Sequence, residues 1–134
     1  MNHAEFLLAT EDLDQRFTGG MSRKDIEQVM SCFWNNPDCI LVVHDGTVYH
    51  GFEEIRAAIE QMFAECETIS LDIDEVSHIR QGNSVFAVGT ATYVLITTEE
   101  ASQKLTVRWT HVRRKENGRW VYVMDHAHAL TPDQ

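Results

Sequence analysis

Apart from short breaks, the second half of this 134-residue chain is one long run of alternating side chains, and this pattern limits the folds open to it. From Ile69 onward, apolar and polar residues trade places with the two-residue period of a half-buried strand. Breaks come only at Gln81-Gly82-Asn83, Thr98-Glu99-Glu100 and Asn117-Gly118. The spacing predicts strands over about 69–80, 83–98, 103–115 and 119–129, joined as an antiparallel meander. Ile69, Leu71 and Ile73 keep one phase, which slips before Val76. That slip predicts a bulge around Asp74-Glu75 that bends the strand.

The first half is helical. Phe6, Ala9, Leu13 and Phe17 fall at steps of three and four, and Gly19-Gly20 is expected to end a helix near 3–18. A second helix is expected with Ser22 as its cap, Asp25 in its first turn and Ile26, Val29, Met30 and Phe33 as its apolar stripe. It ends at Asn35-Asn36-Pro37-Asp38. "CILVVH" and "TVYH" flank Asp45-Gly46 as a short hairpin, and Ile55, Ile59, Met62, Phe63 and Cys66 mark a third helix. Each helix has one stripe to cover, so the economical fold is α+β: three N-terminal helices and a hairpin packed on a strongly bent antiparallel sheet with a pocket on its concave side. Residues 1–134 read as a single domain.

A tight Asn117-Gly118 turn sets the faces of the last hairpin, because a loop of even length places odd positions of one strand beside even positions of the other. It puts Leu105, Val107, Trp109, His111 and Arg113 on one face with Trp120, Tyr122, Met124, His126 and His128. The other face receives Asp125, expected to pair across the strands with Arg108. The loop from Thr97 to Ser102 leaves open whether Tyr93 or Thr92 points inward. The first face, rich in aromatics and histidines, suits a small-molecule site. His126 and His111 are candidate acid/base residues, because an imidazole titrates near neutrality. Trp109, Met124, His128, Tyr122, His44, Trp34 and Tyr49 are candidate ligand-binding residues. Two other readings stay open: a metal site at His126 and His128 with His111 as third ligand, and simple packing of the rings.

The net charge of −10 argues against nucleic acid or an anionic membrane as partner. No signal peptide or spanning segment is evident, so a cytoplasmic protein is expected. Cys32, Cys39 and Cys66 lack metal-site spacing and read as inert buried thiols. No nucleotide-binding or nucleophile-elbow motif is present, and neither a metal nor another cofactor is expected.

Three stretches carry a family resemblance: "MSCFWNNPDCILVV", "HDGTVYHGFEEIRAAI" and "RWTHVRRKENGRWVYVMDHAHA". Together they resemble the nuclear-transport-factor-2-like (NTF2-like) superfamily, in its SnoaL-like (polyketide-cyclase-like) and ketosteroid-isomerase-like branches. Members are similar in a Trp followed by His-x-His-x-Ser; Trp120 stands at the Trp, Met124 at the first His, His126 at the second and His128 at the Ser. The resemblance implies a cone-shaped barrel, commonly a homodimer, whose pocket takes a small apolar or aromatic molecule. Val43 stands where a steroid isomerase carries its acid, with His44 beside it as a possible displaced base. The expected function is binding such a molecule and isomerising, cyclising or hydrolysing it by acid/base catalysis. The alternative is a non-catalytic ligand-binding or assembly module.

Overall fold

The computed structural model describes the backbone of residues 3–130 and the side chains of Ala4 and Thr10–Leu130. The expected contributions of Phe6 and Ala9 therefore lie outside the described residues. The chain runs α1 (His3–Arg23), α2 (Ile26–Met30), β1 (Ile40–Val42), β2 (Val48–His50), α3 (Phe52–Glu65), β3 (Cys66–Gln81), β4 (Ser84–Thr97), β5 (Ser102–Glu116) and β6 (Arg119–Ala129). The six strands form one curled sheet in the order β2-β1-β6-β5-β4-β3, antiparallel throughout except for β1 beside β6. The helices cover its concave face, as the apolar stripes require.

Several helix boundaries differ from expectation: α2 ends at Met30, short of Asn35-Asn36-Pro37-Asp38, with Phe33 beyond it bridged to Tyr122, and Cys66, expected on the third helix, begins β3. α1 continues through Gly19-Gly20 to Arg23, because these glycines serve packing rather than termination. A Cβ on Gly20 would lie 2.8 Å from Val29 Cγ2 and 3.0 Å from the Val29 nitrogen, so its absence lets α2 cross α1 closely. The cap of α2 is Asp25, whose Oδ1 accepts the Gln28 amide at 3.1 Å. Ser22 instead belongs to the last turn of α1, where its hydroxyl donates to the Gly19 carbonyl.

The core gathers where α1 meets the long strands. Phe17, Phe33 and Tyr122 meet edge-on with centroids 5.7–6.1 Å apart, around fully buried Leu13, Val29 and Ile55. The expected slip in β3 is present: the register shifts between Glu75 and Ser77, turning Ile79 outward. Beside the β3 bulge, Gly89 of β4 faces Trp109 of β5. A Cβ there would sit 2.1 Å from the Asp74 carbonyl oxygen and 2.3 Å from the indole, while the indole Nε1 donates to the Thr90 carbonyl at 2.9 Å. Gly89→Ala should therefore cost about 2–3 kcal/mol by overpacking, measured by denaturant unfolding.

Candidate active site

β6 decides which groups reach the concave face. From the turn, Arg113 pairs with Tyr122, but Val112 pairs with Met124, leaving Val123 as an extra residue. Beyond that bulge the alternation is inverted. His111 faces Asp125, Trp109 faces Ala127 and Val107 faces Ala129. Thr110 and Arg108, on the outer face, oppose His126 and His128.

The expected inner placement of His126, His128 and Met124 is therefore corrected. Both histidines are exposed on the convex face, and Met124 is half-buried there beside Ile40 and Val112. His111 lies on the opposite side, so the three histidines do not converge as a metal site would require. Asp125 is on the inner face and does not pair with Arg108. Trp34 does not line the cavity; it packs under the Arg114 guanidinium, 4.5 Å from its ring centroid.

A cavity of about 490 Å³ separates α1, α3 and the β1–β2 hairpin from the inner sheet face. Its walls are mostly apolar, including Leu41, Ile59, Met62, Leu95 and Leu105. His44 and Tyr49 line it as expected, and Tyr93 turns inward. Beyond Tyr93, Val107, Asp125 and Ala127 it meets a narrower recess lined by Trp109, His111 and Tyr122.

The His111 ring is stacked on Trp109, with centroids 4.3 Å apart and planes within 15°, and leans on Tyr122 at 4.8 Å. It is only 5% exposed, and its Nε2 has no hydrogen-bond partner among the described residues. Burial, then the neighbouring Arg113 cation, push its pKa well below 6.5, so the imidazole is neutral at physiological pH. Asp125 behaves in the opposite sense. Burial, then repulsion from Asp14, raise its pKa from 3.8 to about 7. Its residual accessible surface opens onto the cavity, so half-burial is compatible with strong desolvation. Burial, then the Asp125 charge, raise the Tyr93 pKa and keep the phenol protonated.

A polar network lies behind the recess. The Tyr122 hydroxyl donates to Asp14 Oδ1 at 2.6 Å, and Arg113, 2% exposed, reaches Asp14 at 3.9 Å and pairs with Glu75. Glu75 also meets His78 Nδ1 at 3.0 Å. Tyr122 thus gives its hydroxyl to the scaffold and only its ring to the recess. The three cysteines are buried and unpaired; burial lifts Cys32 and Cys39 to about 11, which makes them poor nucleophiles.

The cavity therefore holds a carboxyl that is close to half-ionised at neutral pH, a neutral imidazole and a phenol, all in apolar surroundings. Such a set can take a proton from a substrate and steady the charge that develops. Of the residues singled out from the sequence, His111, Trp109, Tyr122, His44 and Tyr49 line the cavity or its recess; the sequence alone puts Asp125 on the other face and leaves the orientation of Tyr93 open. The available signal was the unbroken apolar run Trp120–Met124, which fits either strand phase and can hide a bulge.

No functionally curated protein matches the chain. Solved structures resemble it closely in fold. A proposed aromatic ring hydroxylase from Novosphingobium aromaticivorans superposes with a TM-score of 0.86 at 17% identity, covering 98% of this chain and 94% of that one. A proposed dehydratase of the NTF2-like family from Streptomyces avermitilis gives 0.83 at 16%, covering 93% and 97%. A proposed calcium/calmodulin-dependent protein kinase type II association domain from Thiobacillus denitrificans gives 0.77 at 21%, covering 90% and 94%. At these identities the likeness shows the fold alone. The sequence pattern of the SnoaL-like domain matches residues 15–123, most of the chain, and this protein belongs to the SnoaL-like family within the NTF2-like fold.

Proposed function

We propose that this protein is an acid/base enzyme that moves a proton on a small, largely apolar molecule, with Asp125 as the base. Tyr93 and His111 are neutral hydrogen-bonding groups for the developing anion, and Trp109 is the apolar floor. The observation that carries this reading is the Val123 bulge, which brings Asp125 opposite His111 inside an apolar cavity. Resemblance to a proposed dehydratase is consistent with proton-transfer chemistry of this kind.

A generic probe tests it before the natural substrate is known. In 5-nitrobenzisoxazole, a base removes the ring C–H proton, the N–O bond breaks and a coloured cyanophenolate is released. Asp125 is active as its carboxylate, so the rate should rise with pH and level off above about 7. A catalysed rate that levels off near pH 4–5 would belong to an ordinary solvated carboxylate and would refute this assignment.

Self-association is part of the proposal. Ile79, Phe86, Val112, Met124 and Ile40 align in register as an apolar row across the convex face, with Ile79 69% and Phe86 49% exposed. Such a row favours a homodimer packed sheet to sheet. Phe86→Glu should shift the sedimentation profile toward monomer. This surface also favours the second reading, in which the domain binds its ligand and assembles without chemistry. No described helix is long and apolar enough to cross a membrane. Three unpaired buried thiols support a cytoplasmic location.

A further inference from the structure

The wall of the cavity carries one sign of charge. Asp45 at the hairpin tip, Glu65 at the end of α3 and Asp125 in the depth all line it, whereas no lysine or arginine does among the described residues. Among the described residues His44 is the sole basic side chain there. Lys24 lies near the rim, but its Nζ donates to the Cys66 carbonyl at 2.7 Å and does not line the cavity. Asp45 is held in its charged form by hydrogen bonds from Thr47, one of them at 2.9 Å from the backbone amide. Glu65 accepts from Gln61 at 2.7 Å. Tyr49 adds an aromatic face, which attracts cations. Past Tyr93 and Asp125 the same space narrows into the recess lined by Trp109 and His111, so its apolar depth lies away from the charged rim.

We infer that the cavity selects against anions and takes an apolar molecule bearing a protonated amine, whose ammonium group sits at the rim between Asp45 and Glu65. Carboxylates, phosphates and acyl carriers with charged tails would meet like charge at the solvated rim and again at Asp125 in the apolar depth. The inference rests on the proposed small-molecule site and adds its substrate class.

Three probes of one shape test it: 2-(2-naphthyl)ethylamine, 2-(2-naphthyl)ethanol and 2-naphthylacetate, titrated calorimetrically at low salt near pH 7.5. The amine should bind tightest, and the carboxylate at least about tenfold more weakly than the amine, a difference of about 1.4 kcal/mol. Raising the salt should narrow that gap, and so should the paired substitutions Asp45→Asn and Glu65→Gln. The inference is overturned if the carboxylate binds as well as the amine, or if the gap survives both substitutions unchanged. Binding by none of the three overturns it together with the site itself. A preserved amine preference in a protein inert toward 5-nitrobenzisoxazole supports it and counts against the acid/base reading alone.

Discussion

Asp125→Asn should lower turnover of 5-nitrobenzisoxazole by about a hundredfold or more and make the protein more stable at pH 8. The kinetic part follows from removing the one inward carboxyl whose pKa, near 7, matches a general base at work in neutral solution. The stability part follows from linkage. Because the folded-state pKa is raised above 3.8, the folded form holds its proton more firmly than the unfolded form. The resulting stability is fully present below about pH 4 and is lost as the pH rises through about 7. Above that, a desolvated charge burdens the native state by on the order of 2 kcal/mol, which asparagine relieves. Thermal melts at pH 8 and pH 5 check this, with the variant's advantage shrinking at the lower pH. Loss of activity together with loss of stability at pH 8 would instead mark Asp125 as a structural residue.

Arg113→Met should be the most destabilising of the substitutions discussed, at about 3–5 kcal/mol. Arg113 is nearly fully buried between Asp14 of α1 and Glu75 beside the β3 bulge, so its removal leaves two carboxyls without their cation. Asp14 is already raised in pKa by burial, and only the Tyr122 hydroxyl and Arg113 oppose that effect. Adding Asp14→Asn to Arg113→Met should return part of the loss, because a neutral amide costs less to bury than an unpaired charge. Urea unfolding of the two single variants and the double variant measures the coupling. Independent, additive losses would show that the pair does not interact.

The limits of sequence reading can be traced to particular residues. The break dipeptides, the α3 stripe and the slip before Val76 were legible, because each disturbs or keeps a periodicity that only one local geometry fits. Trp109 and His111 were correctly turned inward, since β5 is regular where it carries them. On β6 the same reasoning failed at Val123. Five consecutive apolar residues, Trp120–Met124, satisfy both phases, so a one-residue slip leaves no polar residue out of place to reveal it. The slip exchanges Asp125 for His126 on the cavity wall, and with it the identity of the proposed base. Gly19-Gly20 misled for a different reason: local propensity favours a break there, and close packing against Val29 overrides it. The Arg113, Asp14 and Glu75 network joins residues far apart in sequence, and no local pattern encodes such a meeting.

The most direct test is a titration of the Asp125 side-chain carboxyl carbon by NMR in the folded protein. A midpoint near pH 7 is expected for a carboxyl turned into the apolar cavity opposite His111. A midpoint near 4, the value of a carboxylate in water, would place Asp125 on the solvated face and contradict the site described above.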